Sequence, residues 1–139
     1  MIVSFFESKN RNSDLVLYNC TSGYPVPFED ICLLEIQRMR EQYGTRVKSI
    51  GFSGHHLGIA VDSAAVALGA IVIEKHFTLD CNLPGPDHKA SLEPDQLAAM
   101  VKAIRNIEQS IGSGEKTVSQ SERKNMAIAR KSIVAAKDI

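Results

Sequence analysis

Neither sign of charge is in excess in this sequence: sixteen Lys and Arg balance sixteen Asp and Glu over 139 residues. Without surplus cations the chain has little with which to release counterions from nucleic acid or to hold an anionic membrane, so neither is expected as a partner. Long apolar runs are missing as well. The longest, Ala64 to Ile73, is interrupted by Gly69 and is about half the ~20 residues that a membrane-spanning helix needs. Met1 opens directly into Ile-Val-Ser-Phe-Phe, with no basic start, long apolar stretch or small-residue cleavage site, so a soluble, cytoplasmic protein is the expectation. Cysteine is scarce. Cys20, Cys32 and Cys81 are odd in number and lack Cys-x-x-Cys spacing, which reads as free thiols and not as a zinc or redox motif.

What is present is alternation. With 44% hydrophobic residues the chain can bury a single core, and short β-branched runs alternate with longer helical patterns, as in parallel βα units. The first strand is expected at Leu15–Tyr18, followed by a turn-rich loop from Thr21 to Pro27. Asp30 is placed to cap a helix over 31–43, with Gly44 as a left-handed stop. Val47–Phe52 reads as the second strand, running into Ser53-Gly-His-His-Leu-Gly58, and a small-residue helix over 59–68 closes at Gly69. Ala70–Ile73 is apolar throughout, which predicts a third strand covered on both faces. A last helix should start at Pro94 and bury Leu97, Met100, Val101, Ile104, Ile107 and Ile111 before Gly112. Ser113 to Asn125 reads as a polar linker. The expected division is therefore a βα unit over 1–112 and a linker with the start of something further over 113–139. Three parallel strands leave two open edges, which points to part of a larger βα domain. If that domain is an eight-stranded barrel, its chemistry belongs on the loops after the strands.

Two histidines stand out by position. Adjacent parallel strands put their carboxyl ends on one rim, so His55 and His76 should converge although 21 positions separate them. Two neutral imidazoles with open positions suit a divalent transition metal that also accepts substrate oxygens; the plainer alternative is that each only bonds a loop carbonyl. His56 points away from His55 in an extended loop and reads as structural. Ser53-Gly54 occupies a place where a barrel often binds phosphate, Glu74 and Asp87 are carboxylates flanking the same rim, and Tyr24 follows the first strand, able to reach the site or simply to pack on Pro25. Lys75 faces opposite to Glu74 in a strand and is not assigned a role.

Four ordered segments, Tyr18-Asn-Cys-Thr-Ser-Gly-Tyr-Pro-Val-Pro-Phe-Glu-Asp30, Ile50-Gly-Phe-Ser-Gly-His-His-Leu-Gly58, Ile73-Glu-Lys-His-Phe-Thr78 and Pro84-Gly-Pro-Asp-His-Lys-Ala-Ser-Leu-Glu-Pro94, resemble the sialic acid synthase family, most closely its bacterial N-acetylneuraminate synthases. The resemblance covers nearly the whole chain. It implies the carboxyl-terminal part of a (β/α)8 TIM barrel, then a linker into a truncated antifreeze-like domain over 127–139. It further implies condensation of phosphoenolpyruvate with N-acetylmannosamine or a related N-acyl amino sugar, releasing phosphate. By that likeness His55 and His76 match metal ligands, with manganese foremost and magnesium or cobalt as alternatives. Ser53 matches a phosphoenolpyruvate contact, and Glu74, Asp87 and Tyr24 match acceptor-sugar contacts, with Glu74 the candidate for proton handling. A homodimer is implied for the full-length protein. Where many relatives have Ser-Asp-His, this chain has Ser-Gly-His, so no role carries over for a middle carboxylate. The lysines that hold phosphoenolpyruvate in the family have no counterpart here, and the chain is expected to be inactive alone. A barrel metallohydrolase and a non-catalytic half-barrel acting in assembly remain the competing readings.

Overall fold

The computed structural model describes residues 2–131, 134, 136 and 137. Three parallel strands, β1 (Val16–Cys20), β2 (Ser49–Gly54) and β3 (Val72–Lys75), form one sheet in the order β1-β2-β3. The register pairs Leu17 with Ile50, Asn19 with Phe52, Phe52 with Ile73 and Ser53 with Glu74. Side chains alternate across the pleat. Leu17, Ile50, Phe52 and Ile73 therefore share the face that packs with Val26, Ile31, Ile36, Val47, Ala65 and Ala70 into the core.

Around the sheet run α1 (Ile2–Ser8), α2 (Glu35–Tyr43), α3 (Ala60–Ala67), α4 (Pro94–Ser110) and α5 (Gln120–Ala129). Helices α2 and α3 pack on β2, and α4 packs on α3. Small side chains on α3 allow the close approach: Ala65 is fully buried. The helix ends where Gly69 takes φ +102°, a conformation open to glycine at little cost. A Cβ there would lie 2.1 Å from Arg40 Nη1, which donates to the Leu68 carbonyl and ties α2 to the end of α3.

Several expectations need correction. The second helix starts at Glu35, not 31, because Phe28–Asp30 is a 3-10 turn and Cys32 at φ +50° breaks the chain direction, so Asp30 caps nothing. Gly44 is right-handed at φ −56° and supplies no left-handed stop. The first and third strands begin and end later than expected, and β2 extends through Gly54. Residues 70–73 are not covered on both faces: Ala70 is buried, but Ile71 is 76% exposed and Val72 and Ile73 are only half-buried. Of the stripe assigned to the last helix, Met100 alone is buried. The expected linker is helical from Gln120, since Ser119 and Glu122 form a reciprocal capping box, a pattern present in the sequence. Helix α1 was not anticipated; Val3 is buried in the core and Glu7 pairs with Arg46 ahead of β2. The antifreeze-like assignment falls partly on 132, 133, 135, 138 and 139, outside the described residues. Among the described residues no helix is long and apolar enough to cross a membrane.

Candidate functional site

The site assembles where β2 and β3 end. Because Gly54 pairs with Lys75, the residues that follow, His55 and His76, leave the sheet side by side, each one residue past its strand. Their rings lie 5.1 Å apart at 70°. Tyr24 closes the group, 4.5 Å from the His55 ring and 5.6 Å from that of His76, while remaining 48% exposed. The sequence places the histidines three residues past their strands; the later strand ends bring them closer than that.

The His55 imidazole and the His76 main chain are each held by backbone. The loop after β1 grips His55 twice: its carbonyl accepts from Val26 N at 3.0 Å, and Nδ1 lies 3.0 Å from the Thr21 carbonyl. A carbonyl only accepts, so Nδ1 is the donor in this contact, and in the neutral ring Nε2 keeps its lone pair. That is the arrangement in which metal-binding imidazoles are oriented by a second hydrogen bond. His76 is fixed from the other side, its carbonyl accepting from Leu92 N at 2.9 Å, and Leu92 is 1% exposed. Two metal–nitrogen bonds of about 2.1 Å each, plus the ring radii, span the observed separation. The pair therefore fits a divalent ion. Among the described residues no group of three His, Cys, Asp or Glu could hold one, so remaining positions would fall to oxygens from substrate or water.

Next to the pair, Ser53 Oγ donates to Glu74 Oε1 at 2.7 Å across the β2–β3 ladder. Ser53 is 5% exposed and Glu74 is exposed. Ser53 and Gly54 are the last residues of β2 and not part of a loop, which corrects their expected place after the strand: this backbone belongs to the ladder, and the hydroxyl is what Ser53 presents. The cavity that Ser53 shares with Thr21, Val26, Phe52, His55 and His56 is about 10 Å³, room for about one water. Asp87 is not drawn into this cluster. It precedes the 3-10 turn His88–Ala90 in the exposed loop before α4, and its carbonyl accepts from Ser91 Oγ at 2.8 Å.

One group lay beyond the reach of the sequence reading. His56 and Asp62 are fully buried, and Lys75 turns to the same side, its Nζ donating to the His56 carbonyl at 2.5 Å. The opposition of Lys75 and Glu74 was legible from strand alternation; Asp62 carried no signal, being one acid in a helix of small and apolar residues.

Comparison with known proteins identifies the family. The NeuB family model matches residues 1–116. The chain is 48% identical to an N,N'-diacetyllegionaminic acid synthase of Campylobacter jejuni, over 93% of this chain and 38% of that protein. It is 42% identical to the human N-acetylneuraminate-9-phosphate synthase, over 91% of this chain and 35% of that protein. It thus spans little more than a third of the length of these relatives. In three dimensions it matches the crystal structure of an N-acetylneuraminic acid (sialic acid) synthetase from Leptospira borgpetersenii, with a TM-score of 0.76 and 35% identity, over 93% of this chain and 45% of that one. An α/β chain with parallel strands and paired rim histidines, matched by the family model over most of its length, belongs to the NeuB family of sialic-acid-type synthases.

Proposed function

We propose that this chain supplies the metal and acceptor side of a synthase site that joins phosphoenolpyruvate to an N-acyl amino sugar. The observation that carries the reading is the cluster of His55, His76 and Tyr24 at adjoining strand ends, with the Ser53–Glu74 hydrogen bond beside it. A bound divalent ion, manganese foremost, would supply Lewis-acid polarisation of the sugar's aldehyde. His55 and His76 would hold it through ring nitrogens. Tyr24 borders the acceptor on the open side. Glu74, kept in place by Ser53, is exposed enough to meet a sugar hydroxyl and exchange a proton there. Ser53 can turn its hydroxyl toward the phosphate of phosphoenolpyruvate, and Asp87 reaches the acceptor only if its loop folds inward. Holding two substrates in register is a large share of the rate such a site can provide.

The side chains gathered at the rim are imidazole, phenol, hydroxyl and carboxylate; none is lysine or arginine. A multiply charged anion is poorly held by that set. The 139-residue chain alone is therefore proposed to bind metal without turnover. For the acceptor, the 48% identity to a diacetyllegionaminic acid synthase favours a diacetamido sugar over N-acetylmannosamine as a second reading.

The test is a chimera in which this chain replaces the matching segment of the Campylobacter jejuni synthase. Phosphate release from phosphoenolpyruvate with either acceptor, abolished by chelation and by His55→Ala or His76→Ala, is expected. Undiminished release in the double histidine variant would sink the assignment.

A further inference from the structure

Beneath the rim, on the helix-covered side of the sheet, three ionisable side chains are sealed from solvent. Asp62 of α3 and His56 are fully buried, and the Lys75 side chain is 2% exposed. Lys75 Nζ lies 3.9 Å from Asp62 Oδ2, and His56 Nε2 lies 3.2 Å from the same oxygen. Neither oxygen of Asp62 nor either ring nitrogen of His56 meets a partner in hydrogen-bonding geometry. Such a cluster contributes little to stability, because desolvating the charges offsets their attraction and apolar replacements of similar volume often do as well. Buried groups left this way call for another account.

Position supplies one. His56 is the neighbour of His55 and Lys75 the neighbour of His76, so the cluster joins the two strand ends one residue behind the paired imidazoles. Lys75 grips the loop after β2 through the His56 carbonyl, and the Asp62 carboxylate, fixed on a helix and the only buried acid among the described residues, lies against both. We propose that Asp62, acting through Lys75 and His56, is a positioning residue that sets the separation of His55 and His76. The inference rests on the reading of those histidines as ligands, but its geometric content stands apart from metal binding.

The experiment uses the isotopically labelled 139-residue chain and two readouts: proton–proton contacts among the Tyr24, His55 and His76 rings by NMR, and Co²⁺ titration by visible absorption. In Asp62→Asn the ring contacts should weaken or vanish and Co²⁺ affinity should fall about tenfold or more, the scale seen when the groups that orient metal ligands are changed. The amide spectrum of β1 and α2 should stay in place. Should Asp62→Asn fold poorly, the double variant Asp62→Leu/Lys75→Met removes both charges together and is expected to keep the melting temperature while losing the ring contacts. Ring contacts and Co²⁺ affinity retained in either folded variant would overturn the proposal, as would absence of the contacts in the unaltered chain. Contacts present in the unaltered chain and lost in the variant, with no Co²⁺ bound by either, would uphold positioning while removing the ligand reading.

Discussion

Gly54 is a position where the surrounding core leaves no room for a side chain. A Cβ at this position would meet His56 Cε1 and Phe52 Cε1 at 2.8 Å and Asp62 Oδ1 at 2.9 Å, and all three side chains are fully buried or nearly so. None can swing away without moving the core. Gly54→Ala should therefore lower stability by about 1–3 kcal/mol, the usual cost of overpacking, read as a shift in the urea midpoint; a neutral result would mean that the His56–Asp62 contact is looser than drawn. Ser53 presents a second case. Its hydroxyl serves Glu74 in the free chain and is the group proposed to meet phosphate, so in the chimera Ser53→Ala should raise KM for phosphoenolpyruvate about tenfold or more, the effect of losing one hydrogen bond to a charged group. A smaller rise for the acceptor follows from freeing Glu74. Equal rises for both substrates would count against Ser53 as the phosphate contact. At this scale the sequence was informative about residues placed by strand ends, such as His55 and His76, or by strand alternation, such as the opposed pair Glu74 and Lys75. It was silent about Asp62, whose significance comes only from what folds over it.

Helix and strand existence was legible throughout the centre of the chain, because β-branched runs and small-residue helices follow different periods. Boundaries were less so. The start of α2 depends on Cys32 adopting φ +50°, which no cap pattern reveals, and α1 has no capping signature and is held by tertiary contacts. Its anchor is the Glu7–Arg46 pair, with two bonds of 2.8 and 2.9 Å. The hydrogen bond from Arg46 holds the Glu7 carboxyl below its ordinary value of about 4.5, despite some opposing desolvation. A carboxylate with a lowered pKa in the folded state stabilises above the unfolded value, and that contribution is lost as pH falls through the folded one. Below pH 4.5, then, the difference in stability between the chain and Arg46→Met should shrink steadily, as followed by thermal melts across that range; a constant difference would show that the pair does no electrostatic work. Ile36, fully buried where α2 meets the sheet, should cost about 2–5 kcal/mol on replacement by Ala, against a few tenths for exposed Gln37.

For the molecule as a whole, the named strands of the sheet end at β1 and β3, with an isolated bridge from Phe77 to Leu92 past β3, and Ile71, Leu79 and Val101 are exposed. Unpaired strand edges with apolar neighbours favour self-association. Light scattering behind size exclusion should return more than a monomer for the isolated chain, and a monodisperse monomer at high concentration would contradict that. The overall plan, parallel βα units with chemistry at the strand ends, was readable because the pattern of elements dictates it. What covers the remaining faces was not, since that depends on partners that local periodicity does not encode.

His55 and His76 are proposed to act together as one divalent-metal site, and calorimetric titration of the 139-residue chain with Mn²⁺ decides the matter. One ion per chain, with binding lost in His55→Ala and in His76→Ala while circular dichroism stays unchanged, is the predicted result. Mn²⁺ binding that survives in either variant, or that never occurs in the unaltered chain, would contradict the account.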